Sequence, residues 1–174
     1  AKRRGFAYPP YTGDRLVYQD EFVAWLESTF DTRSDPARAI FYSLDNEPDL
    51  WASTHPRIRP TGKVTYAELL QRTEEYAGAI KAVAPGALVF GPASYGWAGF
   101  VRLQDAPDNA GRDFLDFYLD SMRDAEGRAR RRLVDVLDLH WYPEARGGSV
   151  RITEANNAPE VAAARVQAPR SLWD

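Results

Sequence analysis

The sequence predicts an α/β fold built on parallel strands, and two observations carry that prediction. Three short apolar runs, at residues 38–44, 87–92 and 134–140, alternate with three stretches whose apolar residues recur at helical spacing. The order along the chain is helix, strand, helix, strand, helix, strand. Because helices connect consecutive strands, the strands are expected to pair in parallel through right-handed crossovers. Three strands cannot close a barrel, so the sequence predicts either a small open sheet or part of a longer protein.

Each predicted helix carries a local signal. The first, at residues 18–30, has Asp20 and Glu21 in its first turn, where acidic side chains complement the helix dipole. The second begins at Thr65-Tyr66-Ala67-Glu68, which fits a capping box, and stops at Pro85-Gly86. Apolar residues over 114–122 mark the third. The run 38–44 is expected to be a buried strand, and residues 143–174 a long loop with a short helix near 161–166.

Composition excludes several classes of protein. A net charge of −3 over 174 residues gives no electrostatic case for nucleic-acid binding, and the basic run 128–132 fits a solvated helix end. The absence of cysteine excludes thiolate chemistry, disulfides and cysteine-ligated zinc. No apolar run approaches the roughly 20 residues of a membrane span, and no signal peptide opens the chain. Five Trp, nine Tyr and eight Phe suit a surface that stacks on sugar rings, although aromatic-rich cores are commonplace.

Polar and aromatic residues follow all three predicted strands. They are Asn46-Glu47, Ser94-Tyr95 and His140-Trp141-Tyr142. In parallel α/β folds, functional residues collect at the C-terminal ends of the strands. These three ends are therefore the candidate functional edge of the sheet.

Glu47, in Asp45-Asn46-Glu47-Pro48, is the candidate catalytic group. A general acid for glycosidic cleavage is a carboxyl that holds its proton near neutral pH, and a strand end followed by proline places such a group accurately. Asn46 offers donors and an acceptor to a sugar hydroxyl beside the scissile bond. The alternative is that Asp45 and Asn46 merely shape a turn.

Neighbouring residues strengthen the first interpretation. Trp51 follows Glu47 by four positions, and His140 precedes Trp141 and Tyr142. Alone, His140 fits a hydrogen-bonded structural residue, whereas beside these aromatics sugar contact is equally supported. His55 is expected to order its loop with Arg57, and two histidines so far apart give no case for a zinc site.

These motifs closely resemble glycoside hydrolase family 44 over nearly the whole chain from about Tyr18. The stretches that carry the resemblance lie at residues 42–51, 54–58, 89–92, 103–108, 138–145 and 167–174. The resemblance implies a (β/α)8 barrel, of which this chain covers about strands four to six. It also implies a secreted, monomeric parent that acts as a retaining endoglucanase or xyloglucanase on β-1,4-glucan chains.

The resemblance assigns roles to individual residues. Glu47 is the proton donor and later the base, and Asn46 contacts the sugar next to the cleavage point. Tyr95, His140 and Tyr142 line the cleft, with Trp51 and Trp141 as further candidates for sugar contact. No cofactor is needed for catalysis. The family binds calcium, and Asp14 is a candidate ligand by its position.

The sequence departs from the family pattern in one respect. Retaining hydrolysis needs a second carboxylate at about 5–5.5 Å from the first. The family's nucleophile follows the seventh strand, beyond this chain. Glu144 and Glu154 are poor substitutes, since Glu144 follows a strand that is not next to that of Glu47. Residues 1–174 are thus interpreted as part of a catalytic domain that lacks its nucleophile. The alternatives are a non-catalytic carbohydrate-binding barrel fragment and a half-barrel that assembles with a second copy.

Overall fold

The computed structural model describes residues 18–30, 35–59 and 62–173. The chain divides into two compact units, Ala1–His140 and Trp141–Asp174. The helices are α1 (Gln19–Phe30), α2 (Trp51–Thr54), α3 (Tyr66–Val83), α4 (Gly96–Arg102), α5 (Phe114–Ala129) and α6 (Pro159–Gln167). The strands are β1 (Phe41–Ser43), β2 (Leu88–Tyr95), β3 (Val136–His140), β4 (Arg146–Gly147) and β5 (Val150–Arg151).

In the first unit, β1, β2 and β3 form a parallel sheet in that order, as the alternation of strands and helices predicted. Phe41 pairs with Leu88 in the first ladder, and Phe90 pairs with Val136 in the second. The β2–β3 register shifts between Pro92 and Ser94, which is a β-bulge. The chain is therefore an α/β protein, and β2 is central among the described strands.

The N-cap predicted for the second of the three helices is confirmed. Thr65 is the N-cap of α3, and its hydroxyl accepts a hydrogen bond of 3.0 Å from the Glu68 amide. Asp113 caps α5 in the same way. At the far end of α5, Arg130 adopts a left-handed conformation after Ala129, and residues 130–132 are exposed. The basic run is thus a solvated helix end, as predicted.

The core of the first unit lies between α3, α5 and the sheet. Tyr66 of α3 packs edge-on against Phe114 of α5, with ring centroids 5.1 Å apart. Tyr118 and Val89 are fully buried beside them. Burying an apolar side chain of this size contributes about 1.5–3 kcal/mol, so these contacts fix the helices on one face of the sheet.

The expectation that β1 is buried was wrong. The strand is shorter than the run 38–44, and Phe41 is 59% exposed. Phe22, Trp25 and Phe30 of α1 are also largely exposed, although their spacing is that of a core-facing stripe. Among the described residues, β1 pairs on one side alone, with β2. The spacing in the sequence identifies the apolar face of the helix. Whether that face is buried depends on a packing partner, which the described part of the chain does not supply.

The second unit consists of an antiparallel hairpin, β4–β5, and α6. A Cβ on Gly147 would lie 2.4 Å from the backbone of Glu160 and Val161, so a glycine is required where the hairpin meets the helix. The Arg165 guanidinium of α6 donates to the Ile152 carbonyl at 2.7 Å. The predicted short helix is confirmed, and the hairpin was missed.

Candidate active site

The C-terminal ends of the three parallel strands lie together, as predicted. Tyr95 at the end of β2 is in register with His140 at the end of β3. After β1, the Leu44 amide donates to the Phe90 carbonyl at 2.9 Å, which keeps the chain on the sheet as it enters the segment containing Glu47. Three of the residues selected from the sequence thus belong to one edge of the sheet.

Glu47 is fixed through its backbone. Its φ and ψ angles, 47° and 59°, lie in the left-handed region, as does the φ of Asp45 at 68°. Such a conformation costs a non-glycine residue about 1–3 kcal/mol, so surrounding bonds must hold it. The Glu47 amide donates to the Ala93 carbonyl at 2.9 Å, and the Glu47 carbonyl accepts from the Leu50 amide at 2.9 Å. Pro48 then starts a 3₁₀ turn, Pro48–Leu50.

The side chain of Glu47 meets His140. Its Oε1 lies 2.9 Å from His140 Nδ1, across 93 positions in the sequence. The two side chains are 16% and 26% exposed, respectively, so the pair is shielded yet reachable from solvent. A hydrogen bond between a ring nitrogen and the carboxyl fixes the direction of the carboxyl. The sequence suggested hydrogen bonding as one role for His140 but did not identify Glu47 as its partner.

A second carboxyl, Asp49, lies behind this pair and was not selected from the sequence as functional. It is only 6% exposed, and its Oδ1 accepts a hydrogen bond of 3.0 Å from the Tyr95 amide. Burial raises the pKa of Asp49 to about 6, and the nearby Glu47 carboxyl adds to that rise. The backbone amides of Tyr95 and of Asp49 itself oppose it. The sequence signal was weak, because Pro48-Asp49 has the composition of an ordinary turn.

Two further predicted sugar contacts, Asn46 and Trp51, have different surroundings. Asn46 is exposed beside Glu47. Trp51, at the start of α2, is partly buried against the core, and the Arg72 guanidinium lies over its ring at 5.7 Å from the centroid. Sugar contact by these residues, and by Tyr95, stays a prediction.

Trp141 and Tyr142 belong to the second unit. Both are substantially exposed, and Trp141 Nε1 donates to Ser171 Oγ at 3.1 Å. Their predicted role as sugar contacts is not tested by this geometry.

The two carboxyls considered as substitute nucleophiles are both engaged within the second unit. Glu144 forms an ion pair with Arg151, which lowers the pKa of its carboxyl. Glu154 Oε1 accepts from the Arg151 amide at 3.1 Å. Both carboxyls therefore serve to order the hairpin.

His55 orders its loop through its own backbone. The His55 carbonyl accepts from the amides of Ile58 and Arg59 at 3.0 and 2.9 Å. Its ring Nδ1 lies 2.9 Å from Thr54 Oγ1. These bonds support the interpretation of His55 as a loop residue.

The predicted calcium ligand Asp14 lies outside the described residues. Across residues 18–30, 35–59 and 62–173, no three His, Cys, Asp or Glu side chains are grouped so as to hold a metal ion. Over those same ranges, no helix is both long and apolar enough to cross a membrane.

The fold and the site together define an α/β protein with a carboxyl–imidazole pair at the C-terminal edge of a parallel sheet, which is where the active sites of such folds lie. Residues 1–145 match glycoside hydrolase family 44, which is well over half of the chain. The chain belongs to glycoside hydrolase family 44, as the motifs around Glu47 and His140 indicated.

Two curated relatives and one solved structure show how this chain relates to longer proteins. It is 50% identical over 173 residues to a beta-mannanase/endoglucanase A of Caldicellulosiruptor saccharolyticus, covering 95% of this chain and 13% of that protein. It is 45% identical over 181 residues to endoglucanase A of Paenibacillus lautus, covering 100% of this chain and 26% of that one. The structure of a Paenibacillus polymyxa family 44 xyloglucanase with xyloglucan matches all of the chain at 46% identity and a TM-score of 0.84. This chain spans 35% of the xyloglucanase chain.

Proposed function

We propose that the chain is part of the catalytic domain of an endo-acting glycoside hydrolase that cleaves β-1,4-glucans, with Glu47 as its general acid and base. The observation that carries this proposal is the Glu47–His140 pair, joined at 2.9 Å at the C-terminal edge of the sheet in a family 44 chain. The xyloglucanase and endoglucanases that it resembles support a β-glucan as the substrate.

In the proposed reaction, protonated Glu47 gives its proton to the glycosidic oxygen as the bond to the anomeric carbon breaks. A second carboxylate attacks that carbon, forms a glycosyl ester and retains the anomeric configuration after water hydrolyses it. Glu47 then takes a proton from this water and returns to its starting state. The His140 contact keeps the Glu47 carboxyl aimed during both proton transfers. Two carboxyls suffice for this chemistry, so no organic cofactor is required.

The second carboxylate is proposed to come from the part of the family domain that this chain does not span. A groove of about 590 Å3 between α1, β1 and α3 supports that proposal. Apolar side chains line much of it, namely Phe22, Leu26, Ile40, Phe41, Leu69 and Ile80. An exposed apolar groove, beside a strand edge that no other described strand pairs with, favours a further strand and helix there. We therefore interpret residues 1–174 as about strands four to six of a (β/α)8 barrel.

Sugar binding is proposed for several side chains that follow β1, β2 and β3 in the sequence. Asn46 offers an amide to a hydroxyl next to the scissile bond, and Tyr95 offers its ring and hydroxyl beside His140. Trp51, Trp141 and Tyr142 are proposed as stacking or edge contacts. An extracellular, monomeric parent enzyme is proposed on the family resemblance, and Asp14 is proposed as a calcium ligand there.

The stereochemistry of the products tests this function. A chain that extends over the entire family 44 domain, called the full-domain protein, is expected to hydrolyse xyloglucan or a cello-oligosaccharide. Proton NMR of the fresh products is expected to show the β-anomer first, because double displacement retains configuration. Initial release of the α-anomer contradicts the retaining mechanism. Binding of β-glucan without hydrolysis favours the non-catalytic carbohydrate-binding alternative.

A further inference from the structure

Asp49 has an environment that an ordinary turn residue does not need. Its carboxyl is almost fully buried between the 3₁₀ turn Pro48–Leu50, the end of β2 and helix α4. Asp108, which accepts hydrogen bonds from two amides at the start of α3, is exposed in comparison. Removing a carboxylate from water is costly, so the site must hold this group for a reason beyond capping.

Two hydrogen bonds hold the segment from Glu47 to Asp49 against β2. The Glu47 amide donates to the Ala93 carbonyl at 2.9 Å, and two residues further along each segment, Asp49 Oδ1 accepts from the Tyr95 amide at 3.0 Å. Ala93 lies at the bulge of β2 with a positive φ of 57°, and Tyr95 is the last residue of that strand. The left-handed residue Glu47 is thus anchored to β2 by one bond at its own amide and another through Asp49.

The pocket around the second carboxyl oxygen is formed for this side chain. A Cβ on Gly99 of α4 would lie 2.3 Å from Asp49 Oδ2, so the carboxyl fits there because residue 99 has no side chain. Ser94 Oγ and Asp49 Oδ2 are both buried without a hydrogen-bond partner among the described residues. The Ser94 Cβ also borders the same point, at 3.6 Å from that Cβ position. A closely fitted, buried carboxyl is well suited to hold a backbone segment in one place.

Electrostatics tie Asp49 to the proposed catalytic pair. Burial raises the pKa of Asp49 most, and the backbone amides of Tyr95 and Asp49 lower it. Smaller contributions come from the charge of Glu47, which raises this pKa, and from that of His140, which lowers it. Both of these ionisable side chains belong to the proposed site. Asp49 therefore lies near both members of the pair.

We propose that Asp49 is a positioning residue, which holds Glu47 in its left-handed conformation through the Tyr95 amide and thereby aligns the Glu47 carboxyl with His140. The inference rests on the proposed function of Glu47 as acid and base. Asp49 touches no reacting atom in this role. Its effect is on the geometry of proton transfer, where a displacement of about 1 Å can slow a reaction about 10²-fold.

The kinetic test compares two substitutions of Asp49 in the full-domain protein. Asp49→Ala removes the acceptor for the Tyr95 amide and is expected to lower kcat on xyloglucan about 10- to 100-fold with KM changed less than about threefold. Asp49→Asn keeps an oxygen acceptor of the same shape and is expected to restore kcat to within about threefold of the parent. Asp108→Ala is the matched control, because it removes the caps at Tyr66 and Ala67 far along the sequence from Glu47. Its kcat per folded molecule is expected to be unchanged.

A second variant covers the case in which Asp49→Ala does not fold. Gly99→Ala leaves Asp49 in place but adds a Cβ that displaces its carboxyl, and alanine is well tolerated within a helix. Gly99→Ala is expected to lower kcat as Asp49→Ala does. The double variant Gly99→Ala/Asp49→Asn is expected to have the same kcat as Gly99→Ala alone. Unchanged kcat in Gly99→Ala and Asp49→Ala, or equal losses in Asp49→Asn and Asp49→Ala, would overturn the proposal.

A spectroscopic measurement separates failure of this inference from failure of the proposed function. In protein labelled with ¹⁵N-histidine, the His140 ring signals are assigned by their loss in His140→Asn. Asp49→Ala is expected to shift these signals toward those of Glu47→Ala, whereas Asp49→Asn and Asp108→Ala leave them unchanged. Unmoved His140 signals in Asp49→Ala contradict the positioning role even if hydrolysis is observed. Full activity of Glu47→Gln, in contrast, contradicts the proposed function whatever the His140 signals show.

Discussion

Replacing Glu47 by Gln in the full-domain protein is expected to lower kcat on a β-1,4-glucan about 10²- to 10⁴-fold. Glutamine keeps the shape of the side chain and can still contact His140, but it cannot give a proton to the leaving oxygen. The measurement is the initial rate of reducing-end formation at saturating xyloglucan. Its pH profile is recorded alongside, because loss of a general acid removes one limb of that profile.

Glu144→Gln is the control for this substitution. Glu144 is an exposed carboxyl paired with Arg151 in the hairpin, so its replacement is expected to leave kcat within about twofold of the parent. A Glu47→Gln enzyme that loses less than about 10-fold in kcat contradicts the acid/base assignment. An equally large loss in Glu144→Gln contradicts the assignment of Glu144 as a structural residue.

Replacing Lys81 by Ala is expected to destabilise the fold by about 3–5 kcal/mol. Lys81 is 6% exposed, and its ammonium donates to Asp135 Oδ2 and to the Ala87 carbonyl, both at 2.7 Å. The same Asp135 oxygen accepts from the Val89 amide at 2.8 Å, so the pair joins the end of α3 to β2 and to the start of β3. Removing the ammonium leaves a shielded carboxylate without its cation. Urea unfolding followed by circular dichroism measures the loss.

Arg128→Ala serves as the matched comparison for an ion pair. Arg128 reaches Glu74 at 3.1 Å, but both side chains are in contact with water, at 64% and 34% exposure. Such a pair contributes about 0–1 kcal/mol, so this variant is expected to unfold near the parent's midpoint. If Lys81→Ala lowers the free energy of unfolding no more than Arg128→Ala does, the Lys81–Asp135 pair does not join α3 to the sheet in the way described.

The sequence was sufficient to predict the main helices and the parallel sheet because their signals are local. Thr65 and Glu68 define the start of α3 within one turn, and the apolar spacing of the third helix continues to its end. Helix α4 was missed because Gly96 and Gly99 weaken its pattern. Gly99 is nonetheless required, since its missing Cβ makes room for the Asp49 carboxyl.

The candidate site could be predicted only in part. Parallel strands place the residues after each strand at one edge, which was enough to bring Glu47, Tyr95 and His140 together. The Glu47–His140 contact depends on the β2–β3 register, and the bulge at Ala93 that changes it has no clear sequence signal. The burial of Asp49 depends on packing between three separate elements, which no local pattern reports.

The rates of a Glu47→Ala full-domain protein on substrates with different leaving groups test the acid/base role most directly. A general acid matters when the leaving oxygen needs a proton, and it matters little when the leaving group is already a stable anion. We expect the rate to fall about 10²-fold or more on cello-oligosaccharides, and the rate of bond cleavage to fall far less on a 2,4-dinitrophenyl β-cello-oligoside. Equal losses on both substrates would contradict proton donation by Glu47 and leave it a structural residue of the site.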